Sequence, residues 1–197
     1  MSRPSQDVVP LEFDPVIKFL HWFTLLLVVS VFALAFSIDH VPRSAKESVL
    51  QLHRSIGLTI CAVTSGRLVW RQFTRFPNWP DDMTQAMRVA TNASEYVLYM
   101  VLLLQPVLGV IQTDARGDKV NLFFLGDLPA LIGPDRLFER QVHAVHEMVG
   151  YILLGMIGLH AASGLYHHFW RRDRTLRAML PGGVTITSHQ AERRAVG

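Results

Sequence analysis

Four stretches of this 197-residue chain stay apolar over the length that a bilayer demands, and nothing else in it restricts the available folds so strongly. A hydrocarbon core of about 30 Å takes about 20 apolar residues of helix. In lipid, every backbone amide and carbonyl must be satisfied inside its own helix or within a closed barrel. With a few polar residues allowed, the spans fall near 16–38, 49–72, 94–113 and 144–169. Hydrophobic residues make up 50% of the chain, high for a soluble protein. The expected fold is all-α, an integral membrane four-helix bundle.

The first span is expected to remain in the protein. Ala33-Leu34-Ala35 resembles a signal-peptide cleavage site, but the apolar run before it exceeds a typical signal core and its leader carries Asp7, Glu12 and Asp14. Orientation follows from the lysines and arginines, which accumulate on cytoplasmic flanks. Arg3, Lys18, Arg71, Arg75, Arg88, Arg171, Arg172, Arg174, Arg177, Arg193 and Arg194 lie on one side. Arg43, Lys46, Arg116, Lys119, Arg136 and Arg140 lie on the other. Eleven against six places both termini in the cytoplasm. This distribution accounts for the net charge of +3 without a nucleic-acid partner. Cys61 is the single cysteine, so no internal disulfide and no CxxCH haem attachment can form.

Three regions result: a cytoplasmic tail at 1–15, a four-helix transmembrane domain at 16–181, and a second tail at 182–197. The connection 73–93 reads as a cytoplasmic loop with a short surface helix at Asp82 to Val89. The connection 114–143 contains Leu122-Phe123-Phe124-Leu125 and Leu128-Pro129-Ala130-Leu131-Ile132, too apolar for full solvation. It is expected to lie against the membrane interface or cap the bundle. Asp135 to Gln141, after Pro134, reads as a helical lead-in to the fourth span.

Histidines inside spans are costly and usually functional. His21, His53, His146 and His160 fall at two depths, and three are followed four residues later by glycine: Gly57, Gly150 and Gly164. Residues i and i+4 share a helix face, so each glycine clears the face beside its histidine for a flat porphyrin. His146 and His160 are fourteen residues apart, about 21 Å along one face. The fourth span therefore presents one ligand to each of two haems, pairing His146 with His53 and His160 with His21. Two neutral imidazoles suit a low-spin iron. His143 competes with His146, but Glu147 stands at its i+4 position. Arg54, Arg67 and Lys18 are candidate partners for haem propionates, and Arg67 alternatively snorkels to the inner surface. His167 either anchors the span at the interface or exchanges protons at a quinone pocket.

The chain resembles the bacterial cytochrome b561 family over about residues 16–181. The matching residues are Leu20-His21-Trp22, Leu52-His53-Arg54, Arg67-Leu68-Val69-Trp70-Arg71, Leu104-Gln105-Pro106-Val107-Leu108-Gly109, His146-Glu147, Gly158-Leu159-His160-Ala161-Ala162 and Tyr166-His167-His168-Phe169-Trp170. The resemblance implies two b haems on the four histidines. In its closest characterised type it implies oxidation of periplasmic superoxide with ubiquinone as electron acceptor. Arg43, Lys46, Arg54, Arg116, Lys119, Arg136 and Arg140 would then steer the anion, or be ordinary loop charges. Glu95 stands where some relatives have histidine. It either caps the third span or delivers protons to quinone.

Two readings from other classes stay open at this point. One is an electron relay between quinone and a separate periplasmic redox protein, without a substrate site of its own. The other is a four-helix transporter or scaffold whose histidines bind a metal ion or merely pack.

Overall fold

The computed structural model describes residues 12–75, 77, 79, 83–123 and 125–181. The tails expected at 1–15 and 182–197 lie outside these except for residues 12–15, as do Asp82, Phe124 and His189. The described chain is all-helical, with one isolated antiparallel bridge between Asn121 and Asp127. Four long helices, α1 (Pro15–Ser37), α2 (Arg43–Arg71), α3 (Gln85–Arg116) and α4 (Arg136–Tyr166), are followed by a π-helical turn (His167–Arg171) and the short α5 (Thr175–Met179).

Local chemistry sets the helix ends. Asp14 caps α1 by accepting from the Val16 and Ile17 amides at 2.9 and 3.3 Å, with Pro15 in the first turn. Thr84 caps α3 through Met87 N–H, and Asp135 caps α4 through the Leu137 and Phe138 amides. α3 stops at Gly117, whose φ of +88° favours glycine.

Among the described residues, three helices are long and apolar enough to cross a membrane: α1, α3, and α4 continued through the π-helical turn to Arg171. The expected second span is the exception. At 29 residues α2 has the length, but Arg43, Lys46, Glu47, Arg54, Arg67 and Arg71 dilute its apolar character. Two further boundaries differ from the sequence reading. α3 begins at Gln85, so Gln85 to Val89, expected within a separate surface helix, form its first turn. Glu95 therefore lies inside α3 rather than at its start and caps nothing; it forms an ion pair with Arg71.

α1 packs on α2, α2 on α3 and α3 on α4. α4 faces α1 and α2 across a gap that side chains bridge rather than closely packed backbones. Large apolar residues cover the outside, among them Phe19 and Leu26 on α1, Met100 on α3 and Leu159 on α4, as expected where lipid replaces water.

Each end of the bundle is tied off by polar bonds. At one end, Trp22 Nε1 donates to the Met179 carbonyl (2.9 Å), Phe13 N–H to the Ala178 carbonyl (3.3 Å), and Trp70 Nε1 to Asp14 (3.0 Å). At the other, Ser55 Oγ donates to the Asn121 carbonyl and accepts from Phe123 N–H, while Asp114 accepts from Leu131 N–H. These bonds pull the 117–135 connection over the ends of α2 and α3. Leu125 and Leu131 remain exposed on its outer surface.

Candidate functional site

The gap between α4 and the α1–α2 pair is spanned by imidazoles. His53 of α2 opposes His146 of α4 with ring centroids 6.4 Å apart, and His21 of α1 opposes His160 of α4 at 6.3 Å. A metal bound by an imidazole nitrogen on each side, at about 2.0–2.1 Å, holds the two ring centres about 6.3 Å apart. His21, His53 and His146 are half-buried and His160 is exposed. Among the described residues, no cluster of three or more His, Cys, Asp or Glu side chains could hold a metal ion. Two opposed imidazoles would hold an iron from two sides, and a porphyrin would supply its remaining ligands.

His53 is oriented by α1. Its Nδ1–H donates to the Val31 carbonyl at 3.1 Å, which leaves the lone pair on Nε2, the arrangement that fixes a metal-binding tautomer. His146 is oriented by α3. Its ring lies 3.5 Å from where a Cβ on Gly109 would stand, and Gln105 Nε2 donates to its backbone carbonyl at 3.1 Å.

Beside the His53–His146 pair lies a cavity of about 710 Å³, within the range of cofactor and ligand sites. Both Gly57 and Gly150 line it. A Cβ on Gly57 would meet no atom within 4 Å. The other two glycines have protein neighbours: a Cβ on Gly150 would meet Gln105 Nε2 at 3.0 Å, and one on Gly164 would meet Leu176 at 3.9 Å. Gly150 thus gives Gln105 room to reach His146. His143 also lines the cavity, but its Nδ1 accepts from Gln112 at 2.9 Å and its ring has no imidazole opposite. The opposed pairs, the His53 tautomer and the adjoining cavity fit a bis-histidine haem.

The prokaryotic cytochrome b561 profile matches residues 12–182. The chain belongs to that family. Among its relatives, cytochrome b561 homolog 2 of Escherichia coli (strain K12) is 26% identical over 166 residues, covering 81% of this chain and 86% of the relative. Homolog 1 of the same organism is 25% identical, covering 83% and 93%. A protein named probable superoxide oxidase CybB, from Yersinia pestis, is 26% identical over 163 residues, covering 82% and 92%. Membership in the cytochrome b561 family implies electron transfer through haem b, and with three long apolar helices it indicates a bacterial membrane protein.

The cations expected around a b561 cofactor are engaged differently from one another. Lys18 pairs with Glu12 at 2.6 Å. Arg54 is held between Glu47 (3.3 Å) and Asp118 (3.1 Å), with its own side chain 8% exposed. Arg67 makes no ion pair among the described residues; its guanidinium lies 5.2 Å over the Tyr99 ring. Of the cations expected to steer an anion, Lys46 pairs with Asp39, Arg116 with Glu139 and Lys119 with Asp127.

His167 is buried at the start of the π-helical turn, and its Nδ1 lies 2.5 Å from Asp173. Burial alone would raise the Asp173 carboxyl, but hydrogen bonds from His167 and from Thr175 N–H outweigh it and hold the group below the usual carboxylate range. Asp173, Gln105 and Tyr99 are site residues that the sequence reading passed over. Gln105 was visible in Leu104-Gln105-Pro106, as a polar residue in an apolar span. The other two become informative only once the fold brings them to His167 and Arg67.

Proposed function

We propose that this protein carries electrons across the bacterial inner membrane through two bis-histidine b haems, oxidising superoxide to oxygen on the periplasmic side and reducing ubiquinone on the other. The two opposed histidine pairs carry this reading. His53 and His146 would hold the outer haem, and His21 and His160 the inner. Fourteen residues of α4 separate His146 from His160, about 21 Å of rise, and the porphyrin edges come closer than that. When bound, the haems supply one-electron storage at each end. Two superoxide anions then yield two electrons, and these with two protons reduce one ubiquinone.

In this proposal the domain spans residues 16–181 with four membrane crossings. α2 is the crossing shielded between α1 and α3, and both termini are cytoplasmic because the inner flanks hold most of the arginines. His53 is kept in its ligating tautomer by Val31, and His146 is held by Gln105 and Gly109. The His167–Asp173 couple is the proposed proton-exchanging group on the side of the inner pair, seven residues beyond His160 along the chain. The relative named probable superoxide oxidase supports the choice of substrate.

One observation favours the relay alternative. Lys46, Arg54, Arg116 and Lys119 are paired with carboxylates, leaving Arg43, Arg136 and Arg140 as the steering cations without an ion pair among the described residues. A periplasmic redox protein would need less of such a field. Stopped-flow mixing of superoxide with oxidised, quinone-loaded protein decides between the two. Haem reduction outrunning spontaneous dismutation supports the oxidase, and reduction slower than dismutation leaves the relay.

A further inference from the structure

The cavity beside His53 and His146 changes character along its length. On three helices its lining runs from apolar to polar toward the same end of the bundle: from Ile60 to Lys46 on α2, Leu102 to Gln112 on α3 and Leu153 to His143 on α4. A haem has the same asymmetry, being apolar over the porphyrin and carrying two carboxylates on one edge. Bound by this histidine pair, it would lie with its propionates toward the polar end. A propionate drawn out of bulk water needs a donor there.

The cations at that end are already engaged. Lys46 pairs with Asp39 at 3.5 Å, Arg116 with Glu139 at 2.9 Å, and Arg54 with Glu47 and Asp118. Two histidines line the same end, and they differ in tautomer. His40 donates its Nδ1–H to the Phe36 carbonyl at 2.9 Å, which leaves a lone pair on Nε2. His143 is the reverse. Gln112 Nε2 donates to its Nδ1 at 2.9 Å, so the ring proton sits on Nε2, in a side chain that lines the cavity.

His143 also stands at a suitable height. Gly109 of α3 abuts the His146 ring, and Gln112, three residues further along α3, meets His143, three residues back along α4. This second rung lies about 4.5 Å of helical rise beyond the first, toward the polar end. Glu147, one turn along α4 from His143, lines the same wall and brings a negative charge, so a propionate beside it depends on a donor close by.

We propose that His143 donates a hydrogen bond from Nε2 to a propionate of the haem on His53 and His146, with Gln112 holding the tautomer that makes this possible. The inference rests on the haem reading of that pair. It gives His143 a role in holding the cofactor by its edge, in place of competing with His146 for the iron.

The test compares native haem with haem dimethyl ester, in which both propionates are neutral, by the rate of loss from purified, haem-loaded protein to a scavenger protein. His53→Ala identifies the kinetic phase that belongs to this haem, as the one it removes. His143→Phe is expected to speed loss of native haem in that phase roughly 10- to 100-fold, the range for a hydrogen bond to a charged group. The ester should leave wild type and variant at equal rates. His143→Gln, which keeps an amide donor, should stay close to wild type, and low-spin absorbance should persist in both variants. A wild-type protein without a haem that His53→Ala removes overturns the reading beneath. Loss of native haem that His143→Phe leaves unchanged, or speeds equally for the ester, overturns the role of His143. Loss of the low-spin spectrum makes His143 an axial ligand and overturns it too. If His143→Phe does not fold, Gln112→Leu decides by the same comparison: freeing the tautomer should speed loss of native haem and not of the ester, and equal rates for wild type and variant overturn the proposal.

Discussion

At Gly57 the polypeptide and the proposed cofactor pull in opposite directions, which makes it the sharpest place to test the histidine–glycine logic. The residue lies inside α2, one turn beyond His53, where alanine is favoured over glycine by about 0.8–1.0 kcal/mol. A Cβ there would meet no atom within 4 Å, so nothing in the protein offsets that gain. Gly57→Ala should therefore stabilise the haem-free chain by up to about 1 kcal/mol. The same Cβ points toward a cavity that Gly57 lines together with His53 and Gly150. If a porphyrin on His53 lies across this face, the added carbon overpacks it, at a cost of about 1–3 kcal/mol, or roughly 5- to 150-fold in affinity. Gly57→Leu should abolish the outer site. Haem per chain by the pyridine haemochrome method, with the rate of haem loss to a scavenger protein, reads both variants. A Gly57→Leu protein that still binds two haems as tightly as wild type would refute the claim that this glycine makes room for one.

The remaining predictions concern the supports around the histidines. Gly150→Ala places its Cβ 3.0 Å from Gln105 Nε2, and should cost about 1 kcal/mol by breaking the Gln105 bond to His146; in a double-mutant cycle on thermal midpoint, Gln105→Ala should absorb most of that cost. Ser55 is 1% exposed and bonds both Asn121 and Phe123, so Ser55→Ala should cost about 1–3 kcal/mol and raise amide exchange in the 117–135 connection first. Asp173 has a depressed folded-state pKa, so its stabilising contribution is complete above the ordinary carboxylate value near 3.8 and disappears as pH falls through the lower folded value. Asp173→Asn should remove that acid dependence from the melting temperature, and an unchanged pH profile would count against the His167 pairing.

Apolar content and spacing were enough to locate the helices, but not to bound them or to describe their polar surroundings. α1 was legible almost to the residue, because Asp14-Pro15 is a strong start signal and its apolar run is unbroken. The opening turns of α3 were not: Gln85, Arg88, Thr91, Asn92 and Ser94 carry no apolar period, so the helix beginning at Gln85 reads as a short surface helix in a loop rather than as the start of the third span. Glu95 was misplaced for the same reason. α2 was legible as a helix and only partly as a span, since its arginines are stabilised by partners on other elements. Asp118, the partner of Arg54, lies 64 residues away in a connection with no pattern of its own. The facing of His53 with His146 and of His21 with His160 could be anticipated because their depths follow directly from helical rise. The role of Gly150 could not, since Gln105, the atom that needs the space, belongs to another helix.

The spacing along α4 explains why one helix can serve two different partners. Glu139, His146, Leu153, His160 and His167 recur every seven residues, and seven residues at about 100° fall about 20° short of two turns. The stripe drifts steadily around the helix as it crosses the bundle. Over the fourteen residues from His146 to His160 the drift is about 40°. That is why the stripe meets His53 of α2 at one end and His21 of α1 at the other, although α1 and α2 are adjacent. Beyond both histidines the stripe ends on polar pairs: Glu139 with Arg116, and His167 with Asp173. Those outermost groups are partnered by near neighbours. The two histidines between them instead face imidazoles on other helices, at a separation that leaves room for one iron between the rings. A stripe made only for packing has no need to place its polar residues opposite their own kind at two depths, and the proposed two-haem reading accounts for both.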